Sequence, residues 1–171
     1  FMSRMTALKV LVSCRTKGAW ADAALQAQLR SKPLSRQDAA LCSRIVYGVL
    51  QNQLLLDFYL EAFCTQKPEH LQPPLLDILR IGAYQILFLD KVPDSAAVNT
   101  SVELTKRSKR EQAAGLVNAV LRKLSQNKEQ LPALPERDPV KALSLRYSHP
   151  RWLVKRLISL VGPEEAEAFM A

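Results

Sequence analysis

The side chains that could carry covalent chemistry in this sequence are three cysteines and two histidines. Cys14, Cys42 and Cys64 are far apart, form no Cys-x-x-Cys pair and have no neighbouring histidine that would complete a metal site. His70 and His149 have no serine or acidic partner at a recognisable catalytic spacing. The pattern therefore favours reduced cysteines that pack as small apolar residues, and it predicts neither a metal centre nor a catalytic centre in this chain.

The other chemically informative feature is an excess of positive charge. The chain has 24 Lys and Arg against 16 Asp and Glu, a formal net charge of +8 and an isoelectric point of about 9.6, which favours polyanionic partners such as nucleic acid. The candidate phosphate-binding side chains lie on the first predicted helix, at a later junction between two helices, and at the end of the helix after that junction: Arg4, Lys9 and Arg15; Lys106, Arg107, Lys109 and Arg110; Arg122 and Lys123.

A further basic group near the C-terminus is interleaved with aromatic rings that could stack on bases: Arg146, Arg151, Lys155 and Arg156 around Tyr147 and Trp152. The alternative for each group is that basic residues offset the dipole at a helix C-terminus and that Trp152 belongs to a core. The junction and the end of the helix after it count as one group, so the chain has three basic groups. Together they favour RNA, but the sequence does not decide which of them contacts it.

The elements that must position these residues are helices. Apolar residues recur at helical spacing from Arg4 to about Gln126, and no stretch alternates with the period of a strand, so the fold class is all-α. Proline, glycine and serine mark the ends of seven helices in this region: 4–17, 20–31, one starting at Ser35 or Asp38, 54–64, a central helix entered at Pro73, 95–106, and one starting near Glu111. We expect one helical domain over residues 2–126, a proline-containing linker over 127–139, and two or three short helices over 140–171.

Several interior residues also carry structural predictions. On the central helix, Asp77 and Arg80 are expected to form an intrahelical ion pair and Tyr84 to be anchored by its hydroxyl group. Gly48 and Gly82 indicate places where another helix approaches closely, with a second backbone beside Gly82. Two amides on apolar stretches, Asn99 and Asn118, are interpreted as buried and bonded to helix ends or to each other, with direct base recognition as the alternative.

No apolar run approaches the roughly 18 residues that a membrane span needs, and the N-terminus has no charged segment followed by an apolar core. We therefore expect a cytoplasmic protein without a membrane partner.

Four segments carry a resemblance to a known family. They are IVYGVL at 45–50, LLLD at 54–57, LRIGAYQILFLDKVPDSAAVNTSVELTK at 79–106 and GLVNAVLRKL at 115–124. Together they resemble the NusB-like RNA-binding domain, in the version that opens the Sun/Fmu-type ribosomal RNA cytosine methyltransferases. The resemblance implies a NusB-like helical bundle over about Arg4 to Leu124. The segment RYSHPRWLVKRLISLVGPEEAEAFMA at 146–171 is similar to the helices that lead into the catalytic half of those enzymes, which implies that this chain is a part of a longer protein.

The resemblance also implies a function. The domain would bind and orient small-subunit ribosomal RNA for the protein's own catalytic domain, which would use S-adenosylmethionine to methylate carbon five of a cytosine. The chain itself would do no catalysis and hold no cofactor: its five glycines are isolated, and no cysteine follows a proline as the reactive one commonly does in this family. Arg4 matches the family's basic residues at the start of the first helix, although SRMTALK is less rich in arginine than the NusB branch. The alternatives are a transcription antitermination adaptor that acts with a ribosomal protein, and a helical interaction module without RNA contact.

Overall fold

The computed structural model describes all residues 1–171 and consists of helices without strands, so the all-α prediction is confirmed. Two short 3-10 turns, Pro68–His70 and Glu111–Ala113, accompany ten α-helices. The helices are α1 Met2–Lys17, α2 Ala21–Ser31, α3 Arg36–Gln51, α4 Gln53–Glu61, α5 Pro73–Phe88, α6 Asp94–Arg107, α7 Ala114–Gln126, α8 Pro139–Tyr147, α9 Arg151–Val161 and α10 Pro163–Met170. None of them combines the length and apolar character that crossing a membrane would require.

The helix ends follow local chemistry that the sequence displays. Gly18 ends α1 in a left-handed conformation with φ of 64°, which glycine adopts without steric cost. Ser35 caps α3, because its hydroxyl oxygen accepts a hydrogen bond of 3.2 Å from the Asp38 backbone N–H. Pro73 opens α5 at a position where a helix needs no N–H donor.

Helix α5 is the centre of the bundle, and α1, α3, α4, α6 and α7 pack around it. Every residue from Leu75 to Ile86 is buried, including the charged side chains of Asp77 and Arg80. This all-round burial explains why its sequence is apolar on every face rather than along one stripe.

The polar residues of α5 are held differently from the prediction. The expected Asp77–Arg80 ion pair is present at 3.5 Å, but the stronger partner of Arg80 is Asp57 of α4, whose two carboxylate oxygens accept bonds of 2.8 and 2.7 Å from the guanidinium. Tyr84 is held by its ring, which lies against Gly48 of α3 and stacks on Phe88 with the ring centroids 5.3 Å apart. The prediction that its hydroxyl group anchors Tyr84 was therefore wrong.

Gly82 permits a close approach, but of side chains and not of a second backbone. A Cβ atom at Gly82 would lie 2.5 Å from Cδ1 of Leu121 on α7 and 2.8 Å from the hydroxyl oxygen of Ser101 on α6. The glycine therefore makes room for residues of two helices, and the prediction of a neighbouring backbone was wrong.

The prediction of two buried amides was also wrong. Asn99 is exposed, and Asn118 is half-buried with its side-chain oxygen accepting a bond of 3.0 Å from Nε of Arg122. Both residues lie at the outer edge of the α6–α7 pair, where the apolar residues beside them in sequence turn inward and the amides do not.

The C-terminal helices pack against the bundle through α8. The backbone N–H of Leu55 in α4 donates to the hydroxyl oxygen of Ser148 at 3.3 Å, and Ser148 itself has a left-handed φ of 55° that ends α8. Helices α9 and α10 form a pair joined at Gly162, whose φ is 84°. Trp152 on α9 has 67% of its surface exposed, which contradicts the alternative that it is a core residue.

Candidate nucleic-acid interface

The α6–α7 junction, residues 106–110, places four cations within five positions of a tight reversal. Helix α6 ends at Arg107, Lys109 has a left-handed φ of 59°, and the backbone N–H of Arg110 donates to the carbonyl of Thr105 at 3.1 Å. A left-handed lysine costs roughly 1 kcal/mol or more relative to glycine. Lys106, Arg107 and Lys109 are exposed at this reversal, whereas Arg110 is half-buried.

The four junction cations differ in how far they are already paired. Nε of Arg107 donates to Glu103 at 3.0 Å, and its guanidinium carbon lies 4.5 Å from the centroid of the Phe1 ring. Nε of Arg110 is buried and has no hydrogen-bond partner. Lys106 and Lys109 are exposed, and neither is among the residues with a carboxylate oxygen within 4.0 Å. The two lysines therefore keep exposed donors that phosphate oxygens could use, whereas the buried Nε of Arg110 is out of their reach.

The start of α1 lies beside this junction, since Phe1 contacts Arg107 and Arg4 is one helical turn farther on. Nε of Arg4 donates to the side-chain oxygen of Gln85 on α5 at 2.8 Å, which ties α1 to the central helix. Burial lowers the pKa of the Arg4 guanidinium, and the nearby Asp38 carboxylate partly opposes that shift. Arg4 thus has a structural role in addition to any contact with RNA.

The remaining predicted residues of α1 are not brought to the junction. Arg15 lies about 16 Å farther along the helix axis than Arg4. Its guanidinium is 3.7 Å from the carboxylate of Asp77 and 3.5 Å from the carbonyl of Pro73, so it is engaged at the entry to α5. Lys9, between them in sequence, is exposed and has no acidic partner.

Arg122 and Lys123 lie near the far end of α7, beside which a groove of about 330 Å³ runs between α6 and α7. Arg122 lines this groove together with Asn99, and Lys123 is exposed. Sequence reasoning missed Asn99 as a surface residue. The signal was available, because Asn99, Glu103 and Lys106 follow the three-four spacing of one outer helix face.

None of the three thiols is prepared to act as a nucleophile. Burial raises the pKa of Cys42 to about 11, and burial likewise raises the pKa values of Cys14 and Cys64. A thiol with a raised pKa is protonated at neutral pH, whereas the thiolate is the reactive form. No three His, Cys, Asp or Glu side chains are grouped so that they could hold a metal ion.

The most unusual electrostatic feature is Asp77, which lines a cavity of about 180 Å³ with Cys14, Arg15, Gln53 and Arg80. Only 2% of its side chain is exposed, and Oδ2 accepts no hydrogen bond. Burial raises the pKa of Asp77 to about 6, because desolvation outweighs the opposing charges of Arg15 and Arg80. This cavity lies beneath Arg15, away from the α6–α7 junction.

Comparison with known proteins places this geometry in a family. The NusB family model matches residues 2–126. The probable ribosomal RNA small subunit methyltransferase B of Bacillus subtilis (strain 168) is 36% identical over 165 residues, which are 96% of this chain and 36% of that protein. The chain therefore spans about a third of that relative's length.

The same bundle also occurs in shorter proteins. The transcription antitermination protein NusB of Ruminiclostridium cellulolyticum is 36% identical over 124 residues, covering 72% of this chain and 86% of that protein. The crystal structure of the antitermination factors NusB and NusE in complex with dsRNA has a TM-score of 0.67 at 20% identity, covering 72% of this chain and 93% of that one. That likeness confirms the predicted helical fold. The family match over residues 2–126 and the similarity to the NusB protein of Ruminiclostridium cellulolyticum show that the chain belongs to the NusB family.

Proposed function

We propose that this chain binds small-subunit ribosomal RNA and orients it for a catalytic methyltransferase domain in the same longer polypeptide. The observation that carries the proposal is the α6–α7 junction, where Lys106 and Lys109 are exposed without acidic partners. Similarity to proteins named ribosomal RNA small subunit methyltransferase B over almost the whole chain supports the choice of RNA. A cytoplasmic location accompanies this role.

In this proposal the chain holds the phosphate backbone and leaves the chemistry to the rest of the protein. Lys106 and Lys109 contact phosphates, Lys9, Arg110 and Lys123 extend the positive field, and Arg4 fixes the start of α1 beside the junction. A base inside an RNA helix must be extruded before its carbon five can react, so a fixed backbone helps to present it. Residues 2–126 form the RNA-binding unit, 127–139 the linker and 140–171 the helices that lead into the catalytic half.

The methyl donor of such a reaction would be S-adenosylmethionine, which the residues of this chain do not fit. The two glycines in helix interiors, Gly48 and Gly82, are covered by the side chains of Tyr84 and Leu121, so neither leaves room for a cofactor. We therefore assign the methyl donor and the reactive thiol to the remainder of the polypeptide.

The test is fluorescence-anisotropy binding of labelled small-subunit ribosomal RNA hairpin, scrambled RNA and duplex DNA across a salt series. The variant Lys106→Glu with Lys109→Glu is compared with Lys32→Glu and Lys67→Glu, which makes the same charge change at two other exposed lysines. We expect the junction variant to weaken hairpin binding and to lower the salt slope by about 2, one unit for each lost phosphate contact. Equal losses in both variants, or hairpin binding that matches duplex DNA, would contradict the proposal.

A second candidate function is a transcription antitermination adaptor, which the 36% identity to a NusB protein over 86% of that protein's length favours. An adaptor that acts with a ribosomal protein would bind RNA more tightly when that partner is present. Titration of the same RNA with and without purified NusE distinguishes the two functions, because the methyltransferase domain is not expected to depend on that partner. If Lys106→Glu with Lys109→Glu changes neither RNA binding nor the effect of NusE on it, the chain is a helical interaction module without RNA contact.

A further inference from the structure

Helix α9 exposes an indole ring between two cations. Val154 is fully buried and marks the inner side of the helix, while Trp152 is 67% exposed. Lys155 and Arg156 follow Trp152 by three and four residues, which places all three side chains on one face, opposite Val154. Ser159 continues the same face by another turn, and the exposed Leu160 borders it one turn after Arg156.

The two cations on this face are not paired with the protein's own acids. Neither Lys155 nor Arg156 is among the residues with a carboxylate oxygen within 4.0 Å, and the first turn of α9 contains no acidic residue. Of the other aromatic residues in the C-terminal helices, Tyr147 is already engaged, since its hydroxyl donates to Glu167 at 2.9 Å, and Phe169 is exposed on α10. Trp152, Lys155 and Arg156 are the groups on the outer face of α9 that remain free for a ligand.

Arg151 is set apart from this face. It lines the cleft of about 600 Å³ between α4 and α8, where Asp57, Glu61 and Glu69 also lie. In that cleft three carboxylates balance three cations, Lys67, Lys141 and Arg151, whereas the outer face of α9 presents two cations and no acid. The charge pattern therefore directs a polyanion to the outer face.

We infer that Trp152, Lys155 and Arg156 form a stacking site for single-stranded RNA, separate from the α6–α7 junction. One unpaired base lies on the indole ring, and the phosphates on either side of it contact the two cations. Indole rings stack with any base, and cations beside them hold the backbone, which is the combination that single-strand binding surfaces use. This inference deepens the proposed function: it gives the RNA an unpaired segment beyond the part held at the junction.

The chain contains only two tryptophans, so the fluorescence of Trp152 can itself report RNA binding. Trp20, at the start of α2, is 84% exposed and serves as the matched control. A single-stranded RNA of about twelve nucleotides is titrated into Trp20→Phe, in which Trp152 is the sole indole, and into Trp152→Phe, in which Trp20 is. Stacking predicts saturable quenching of Trp152 fluorescence and little change at Trp20.

Affinity for the same RNA is measured by anisotropy with a labelled strand. We expect Trp152→Ala to weaken binding by about fivefold or more, and Trp20→Ala to leave it unchanged. Lys155→Gln with Arg156→Gln is expected to lower the salt slope while quenching at saturation remains. Equal quenching of both rings, or a Trp152→Ala variant that binds like the unchanged chain, would overturn the inference.

The failure of this inference is distinguishable from failure of the proposed function. The junction variant Lys106→Glu with Lys109→Glu tests hairpin binding without altering α9, and Trp152→Ala tests single-strand binding without altering the junction. Hairpin binding that depends on the junction but shows no quenching of Trp152 would refute the stacking site alone. If the unchanged chain binds neither the hairpin nor the single strand, both the stacking site and the proposed function would be refuted.

Discussion

Replacing Asp77 with asparagine should stabilise the protein at neutral pH, although the change removes a carboxylate that lies between two arginines. The pKa of Asp77 is raised to about 6, against an ordinary value near 3.8, because the cost of burial exceeds the attraction of Arg15 at 3.7 Å and Arg80 at 3.5 Å. A shift of about two pKa units corresponds to about 3 kcal/mol by which the charged form of Asp77 destabilises the folded state at pH 7. Asparagine has nearly the same shape as protonated aspartate and does not ionise.

The stability difference between Asp77→Asn and the unchanged protein should also depend on pH in a definite direction. Below pH 4 the carboxyl is protonated in both folded and unfolded states, so the two proteins should differ little. Between about pH 4 and 6 only the unfolded state loses its proton, and the unchanged protein therefore loses stability as the pH rises. The advantage of Asp77→Asn should thus grow from near zero at pH 4 to about 3 kcal/mol at pH 7, a difference in Tm of about 6–12 °C for a chain of this size.

The assay is calorimetric or urea unfolding of both proteins at several pH values between 4 and 7.5. The difference between the two curves isolates Asp77 from the other titrating groups. A matched control is Asp57→Asn, because Asp57 accepts two short bonds from the same Arg80, and this variant should be destabilised at neutral pH. If Asp77→Asn is less stable than the unchanged protein at pH 7, the two arginines outweigh the burial cost and the reasoning is refuted.

Three further predictions concern stability and are measured by urea unfolding. Asp57→Ala should cost about 3 kcal/mol, since it leaves the Arg80 guanidinium, with 6% of its side chain exposed, without its bidentate partner; a loss below about 0.5 kcal/mol would show that Arg80 turns to another acceptor. Gly82→Ala should cost about 1–3 kcal/mol because the added methyl would overlap a leucine of α7, whereas Gly115→Ala, with nothing within 4 Å, should be neutral or stabilising by up to about 1 kcal/mol. Ser35→Ala should cost about 1 kcal/mol through loss of the α3 cap, and Ser35→Asp should retain most of the stability.

The helices could be predicted from sequence because their signals are local. Apolar spacing, the prolines at 73 and 93, Gly18 and the Ser35 cap act within a few residues of the helix ends that they define. The partners of buried polar groups could not be predicted in the same way. Arg80 bonds to Asp57, 23 residues earlier in the chain, and that choice depends on how α4 crosses α5.

The predicted site residues likewise divide into those grouped by local sequence and those separated by helix packing. The α6–α7 junction is a local cluster, and the structure keeps its four cations together. The nine predicted residues do not form one patch, since Arg15 is engaged with Asp77 at the opposite end of α1 and Arg122 lies at the far end of α7. Which basic residues share a surface is decided by helix packing, and the exposure of Trp152 is decided in the same way.

The kind of cation that remains free indicates how the domain would hold RNA. Four of the five predicted arginines have side-chain partners within the protein: Arg4 with Gln85, Arg15 with Asp77, Arg107 with Glu103, and Arg122 with Asn118. The fifth, Arg110, has a buried Nε without a partner. The four predicted lysines are exposed and unpaired: Lys9, Lys106, Lys109 and Lys123.

This division between arginine and lysine has a consequence for specificity. Arginine reads guanine edges and phosphates through paired donors in a fixed geometry, whereas lysine acts as a flexible point charge. A surface whose free cations are lysines would bind the RNA backbone with little preference for sequence. In the proposed function, choice of the target cytosine would then depend on the catalytic half, because the indole ring on α9 stacks with any base. Loss of Lys106 and Lys109 should accordingly weaken binding to hairpins of different sequence by the same factor.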